Sequence, residues 1–553
     1  MNKRISLLLM CTLFLTNCGK SKYEKQVISK VFGEPRDFQF VSFSPDHKGL
    51  TYVIPAIKDV LTPWTICINN ELVSTYDFVS FQGWIKSADS TGTEYIPLYS
   101  VSSGKKAGII LGQTESEKYE LLGSDQNFRV LLSKDSTSYA YWARADSLEF
   151  MVVNSVAGEK FERVGRPFFA PDNRTVAYKA LRARKWFIVF GEKKFGPYEA
   201  VGQPVISPDG VSVAFITATG GKWVGDEYIG GKWCVVVNGK PQRTYDWVWN
   251  PTFSADGKHI AYRASNGGGW NNKTYQGGSW FVVVDGKEGK RYDGVGDPVF
   301  SPAKNIVTYV ATQKNKWVLV FGENEIGAFD YIDRFKINFV GKSDNVTFVA
   351  SNGGRWEKGV YYGGKWFVMF NDKKGKEFDC IWIPPVLDTL QTMVGYVGSD
   401  GGKWDTTGYS GGSYFAVLSD GSSEIVSSPL PLVRLFMFSP YVRASYALLL
   451  QIQENSFVIL YFDGDKTATS LPCDEVQSIR FVPDSKKLLA AVKRQKRWHL
   501  VSIEGSGEKV LSTYDFIGDI TPGDDGKSAK ISIIDYKKKT SFLVELPLKP
   551  KRD

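Results

Sequence analysis

The sequence has 553 residues, a net charge of +9, an aromatic fraction of 14% and 54 Gly. That length exceeds one ordinary core, so more than one domain is expected, and the aromatic content excludes a disordered chain. The 68 Lys and Arg are interleaved with 59 Asp and Glu, and basic runs such as Lys493 to Arg497 are short. They read as solvated faces, which excludes the concentrated basic stripe of a nucleic-acid binder.

Lys3-Arg4 precedes an apolar stretch from Ile5 to Leu15. This is too short to span a bilayer, which takes about 20 apolar residues, and it has the layout of a signal peptide. It ends in Leu15-Thr16-Asn17-Cys18-Gly19, which resembles the lipobox of bacterial lipoproteins. The resemblance implies cleavage after residue 17 and lipidation of Cys18, although Asn17 departs from the usual Gly, Ala or Ser. The expected layout is a signal peptide over 1–17 and a polar tether over 18–36. Gly19 lacks the Asp that retains some lipoproteins at the inner membrane, so an outer-membrane location, facing periplasm or surface, is the expectation. Apart from Cys11 and Cys18, the cysteines are Cys67, Cys234, Cys380 and Cys473. Cys67 and Cys234 sit in apolar strand runs of different repeats, as small buried hydrophobes do, and no disulfide framework is expected.

From Asp37 onward the chain repeats. One copy reads Asp297-Pro298-Val299-Phe300-Ser301-Pro302, then Ile306 to Val310, Lys316 to Phe321, and Phe329-Asp330-Tyr331-Ile332. Each piece is a short β-type run. The turn after the first run is of the Ser-Pro-Asp kind, as in Ser44-Pro45-Asp46, Ser207-Pro208-Asp209-Gly210 and Val482-Pro483-Asp484. There Pro presets φ, and Asp or Gly accepts the tight backbone conformations that complete a turn. The turn after the third run is Asn238-Gly239, Asp285-Gly286 or a relative, a strong hairpin signal. The fourth run carries an aromatic–acid pair: Tyr76-Asp77, Tyr198-Glu199, Tyr245-Asp246, Tyr292-Asp293, Phe329-Asp330, Phe378-Asp379 and Tyr514-Asp515 among others.

About twelve such units, mostly 37 to 50 residues apart, run to Leu548. Four short antiparallel strands per unit is the β-propeller blade. Continuously apolar third runs such as Trp280 to Val284 suit strands covered on both faces. The Ser-Pro-Asp-Gly turn followed by a short apolar strand resembles the WD40-like repeats of TolB-type β-propellers, over nearly all of the mature chain. The expected fold is therefore all-β, about twelve four-stranded blades. Rings usually close with 4 to 8 blades, which favours two tandem six-bladed propellers, 37–295 and 296–548. A seven-plus-five split or one large ring remains open.

Four units carry an insertion between second and third strands, built on one template. These are Gly220-Gly221-Lys222-Trp223 to Tyr228 to Gly230-Gly231-Lys232-Trp233, and Gly267 through Trp270 and Tyr275 to Trp280. The others are Gly353 through Trp356 and Tyr361 to Trp366, and Gly401 through Trp404 and Tyr409 to Tyr414. Short loops at Arg182 to Lys185 and Gln313 to Lys316 precede the two pairs, so a short–long–long block recurs at an offset of about 132 residues. In a propeller this loop shares a face with the blade-to-blade connections. Trp223, Tyr228, Trp270, Tyr275, Trp356, Tyr361, Trp404 and Tyr409 are the candidate binding residues, since Trp and Tyr supply contact area with a polar handle. The alternative is rings that only stiffen longer hairpins. Trp233, Trp280, Trp366 and Tyr414 begin third strands and belong to the core.

Catalytic signatures are sparse. The three His (His47, His259, His499) stand apart and lack metal-ligand spacing, so no metal site and no cofactor are expected. Gly408-Tyr409-Ser410-Gly411-Gly412 fits G-x-S-x-G, but Ser410 aligns with Ile229, Gln276 and Tyr362 in sister loops and no strand-to-helix turn surrounds it. The aromatic–acid pairs recur in most units, as hydrogen-bond acceptors at blade edges would. The expected function is a non-catalytic envelope lipoprotein that binds or scaffolds a protein or a glycan and meets the membrane only through its lipid. The alternative is a propeller-type glycan hydrolase or lyase with acid–base carboxylates at a ring mouth.

Overall fold

The computed structural model describes residues 26–31, 40–45, 49–55, 63–69, 71–89, 92–120, 130–333, 337–340, 345–405, 407–505, 507–523, 527–535 and 540–548. The signal peptide and Cys18 lie outside these residues. The chain is all-β, a β-propeller built from antiparallel sheets taken in chain order. A typical sheet comprises Trp247–Val248 and Thr252–Phe253 as two halves of a split first strand, then Ile260–Asn271, Thr274–Val284 and Lys287–Glu288. One larger, nine-stranded sheet joins two successive units, because Tyr119–Glu120 pairs with Lys106 and Ala107 on one side and Arg144 on the other.

Apolar residues on both faces of the middle strands produce seams between sheets rather than one central core. Among the described residues there are eleven such clusters, each drawn from two consecutive units. In one, Trp233, Val235 and Tyr245 meet Tyr262, Phe281 and Val283 of the next sheet. The third-strand run Trp233 to Val236 is buried throughout, as continuous apolarity requires, and each such side chain contributes about 1.5–3 kcal/mol on burial. Val295, where two propellers are expected to divide, is buried in a seam of the same kind, with Ala261, Tyr292 and Tyr309.

One expectation is corrected. Gln26–Val31, within the anticipated tether 18–36, is a strand that pairs antiparallel with Thr540–Pro547, Gln26 opposite Glu545 and Val31 opposite Ser541. It becomes the outer strand of the sheet formed by residues 516–547. The physical reason is that Thr540–Pro547 would otherwise be an open sheet edge, and the β-branched run Val27-Ile28 supplies a strand to cover it.

Candidate functional site: an aromatic hairpin face

The four long hairpins share one backbone device. In the first, Thr219 pairs with Lys232 and Gly221 with Gly230, so Gly220 and Gly231 oppose each other outside the ladder, with φ of 74° and 71°. The same interruption occurs between Gly267 and Gly278 and between Gly353 and Gly364. Only glycine fits: a Cβ on Gly231 would lie 2.3 Å from the Thr219 carbonyl oxygen. Beyond the interruption the tyrosine folds under its own hairpin. The N–H of Gly221, Gly268, Gly354 and Gly402 donates to the hydroxyl of Tyr228, Tyr275, Tyr361 and Tyr409 at 2.8, 3.0, 2.9 and 2.9 Å. Tyr228, Tyr361 and Tyr409 are buried and Tyr275 half-buried, so these four shape the hairpin from within.

The aromatic–acid pair locks each hairpin to the sheet before it. Glu199, Asp246, Asp330 and Asp379 accept the first glycine N–H of the next hairpin, from Gly220, Gly267, Gly353 and Gly401, at 3.0, 2.7, 2.8 and 2.8 Å. The short loops are held the same way, Ala183 N–H on Glu162 and Lys314 N–H on Asp293, both at 2.8 Å. Within their own sheets Asp246, Asp330 and Asp379 also bind Lys232, Lys316 and Lys365. The lysine and then the glycine N–H hold these three carboxyls below the usual Asp range. Glu199 is lowered by the Tyr228 hydroxyl and then the Gly220 N–H, while burial and then Glu199 push Tyr228 up to about 12. The acids thus do accept hydrogen bonds at the blade edge, and their partner is the following loop.

The tryptophans complete the bracing. Each hairpin indole lies against the third-strand indole of the preceding sheet: Trp223 on Trp186, Trp270 on Trp233, Trp356 on Trp317 and Trp404 on Trp366, with centroids 6.4, 6.4, 6.2 and 5.9 Å apart. Within each hairpin the rings continue edge to face, as Trp223–Tyr228–Trp233 at 5.4 and 5.9 Å. Two ladders result, Trp186 to Trp280 and Trp317 to Tyr409. Sequence reasoning did not single out Trp247 and Tyr331, which sit beneath them. Trp247 meets Trp233 at 4.5 Å and Trp270 at 4.9 Å, and Tyr331 meets Trp356 at 5.6 Å and Tyr361 at 5.0 Å. Their signal is an aromatic directly after the acid, Asp246-Trp247 and Asp330-Tyr331.

The structure brings all eight predicted residues into these ladders but does not expose them equally. Trp223 and Trp356 are 45% and 48% exposed, whereas Trp270 and Trp404 are half-buried. Each exposed indole is the first hairpin ring of its ladder, at the step from a short loop to a long hairpin. Ser410 is an exposed strand residue opposite Lys403, in a hairpin like its sisters. Cys67, Cys234, Cys380 and Cys473 are unbridged.

No family model matches the sequence, and no curated protein matches it. Among solved structures, a eukaryotic initiation factor is similar at 14% identity and a TM-score of 0.32, over 68% of this chain and 96% of that one. The β-propeller domain of the Trilobed protease from Pyrococcus furiosus is similar at 15% and 0.24, over 56% and 97%. TolB from Acinetobacter baumannii is similar at 12% and 0.20, over 51% and 75%. At such identities a likeness speaks of fold alone, and the blade-by-blade sheet order already shows that fold.

Proposed function

We propose that the chain is a non-catalytic lipoprotein of the bacterial cell envelope, anchored through Cys18 at the outer membrane, whose propeller binds a protein or glycan partner on its hairpin face. The observation that carries the reading is the pair of half-exposed indoles, Trp223 and Trp356, held on rigid hairpins at equivalent places of a duplicated block. A large aromatic surface that folding leaves in water, on a scaffold that fixes its orientation, is the usual makings of a binding site. The acids Glu199, Asp246, Asp330 and Asp379 are each bonded to a loop N–H and recur from blade to blade, which supports a structural role over acid–base chemistry.

Cross-linking the native protein in intact cells tests this. Adducts are expected with the wild type and are expected to vanish in Trp223→Ala/Trp356→Ala while the melting temperature stays within a few degrees. Equal adduct yields from both proteins would overturn the reading. Membrane attachment is checked separately: Cys18→Ala should move the protein from the membrane fraction to the soluble one.

A further inference from the structure

The two exposed indoles stand over matching shelves. Below Trp223 is the short turn Arg182-Ala183-Arg184-Lys185, and below Trp356 the short turn Gln313-Lys314-Asn315-Lys316. Both central residues of each turn adopt left-handed backbone, with φ of 50° and 60° at Ala183 and Arg184 and of 52° and 62° at Lys314 and Asn315. Such a turn favours Asn and Gly, so Arg184 and Lys314 are carried there at a backbone cost. Neither forms an ion pair among the described residues, and neither do Lys222 and Lys358 on the overhanging hairpins. By contrast Lys232 and Lys365, at the bases of long hairpins, and Lys316, which closes the second short turn, are all tied to carboxylates. Each ledge therefore combines one half-exposed indole with an exposed, uncommitted cation in the turn before it, Arg184 or Lys314; Lys222, next to Trp223 in the strand, alternates to the other face of the hairpin.

That combination discriminates between ligands. A protein interface of ordinary size wants about 800 Å² per partner and a cluster of desolvated anchors, whereas each hairpin offers one exposed indole and one exposed valine, Val224 or Val360. The electron-rich face of an indole attracts the polarised C–H bonds on one side of a sugar ring. Trp223 presents that face while its Nε1–H is directed inward, 3.3 Å from the Glu199 carbonyl oxygen. The cations match acidic substituents on the ring or its neighbours. Finally, a site copied about 132 residues along the chain, with the same short–long step, suits a ligand that itself repeats.

We infer that the ledges at Trp223 and Trp356 are a duplicated binding site for a polysaccharide bearing carboxylate sugars, each indole stacking one ring while the turn cation before it, Arg184 or Lys314, takes the acidic groups. The inference rests on the binding reading above and narrows it to one ligand class. Two modest sites on one rigid scaffold raise the avidity for a single long chain by roughly 10²–10⁴-fold when both can be spanned.

Affinity electrophoresis of the full-length protein through gels containing polygalacturonate or hyaluronan, with dextran as the neutral control, tests it. The expected result is retardation by at least one acidic polymer and not by dextran, weakened by added salt. Trp223→Ala or Trp356→Ala alone should raise the apparent Kd about tenfold or more through lost avidity, and the double variant should abolish retardation. Arg184→Ala/Lys314→Ala leaves the ladders intact and should weaken retardation and flatten its salt dependence, so a folding defect in the tryptophan variants cannot decide the matter. Four outcomes overturn the inference: no retardation by either acidic polymer, retardation unchanged in the double tryptophan variant, equal retardation by dextran, or no effect of the cation variant. If cellular adducts still depend on Trp223 and Trp356 while the acidic polymers fail, the ligand class falls and the binding reading stands.

Discussion

The sheets over residues 432–469 and 475–514 are joined by different means from those that carry the long hairpins. Their connecting turns are short, and Arg494 bridges the seam. It donates to both carboxylate oxygens of Glu508 at 2.6 Å and to the carbonyls of Leu471 and Pro472 at 2.9 Å. The Leu471 N–H donates to the same carboxylate. Between the hairpin-bearing sheets, paired indoles and an acid-to-glycine bond do this work instead. Both solutions bury the same kind of apolar seam, so a blade of this protein closes on its neighbour without any extended hairpin. An extended hairpin is therefore not required for blades to pack, and in the blades that have one it both braces the seam and, at Trp223 and Trp356, meets solvent.

The sharpest way to break this contrast is Arg494→Ala. It would strand the Glu508 carboxylate, whose side chain is 2% exposed, and removing one partner of a buried pair costs about 3–5 kcal/mol. Urea unfolding followed by far-ultraviolet circular dichroism should show that loss. A cost near zero would mean that the apolar seam alone holds these sheets together.

Next in size is Trp270→Ala compared with Trp223→Ala. Trp270 meets Trp233, Trp247 and Tyr275, and aromatic pairs contribute about 0.5–1.5 kcal/mol each. A loss of about 2–3 kcal/mol is expected on that basis, against about 1 kcal/mol for the more exposed Trp223. Equal losses would show that the ladder does not brace the seam and that exposure is no guide to role.

The smallest effect is that of the acid clamp. Lys232 and the Gly267 N–H hold the Asp246 carboxyl below its usual range. A carboxyl lowered on folding adds stability above the unfolded Asp pKa of about 3.9, and that stability disappears as the pH falls through the lower folded value. Asp246→Asn should therefore cost about 1 kcal/mol or less at neutral pH. The gap to wild type should narrow as the pH drops below about 4. Melting curves at several pH values check this, and a gap independent of pH would assign the effect to shape rather than charge.

Much of the site was legible in the residues alone. The glycine pairs announced a backbone that must turn or approach closely, and Gly231 does both. The recurrence of the aromatic–acid pair separated structure from catalysis. What stayed hidden was each partner's address: Asp379 binds Gly401 of the following sheet, and Arg494 binds Leu471 in the connector from the preceding one. Such contacts depend on how two sheets are set side by side, which local spacing does not encode.

By itself, the sequence determined the repeating units of short strands, the apolar centres of the third strands and the doubled short–long–long block. Periodicity, turn chemistry and repetition are all local properties. Only tertiary structure decided that Gln26–Val31 completes the sheet ending at Pro547, because a six-residue strand carries no mark of a partner more than 500 residues away. It also decided which of four identical tryptophan positions face water. Trp270 and Trp404 follow another long hairpin and are half-buried in the ladder, while Trp223 and Trp356 follow a short loop and keep one side free. Exposure depends on the neighbour's length as well as on the residue's own motif, and how far that neighbour covers the indole is set by packing.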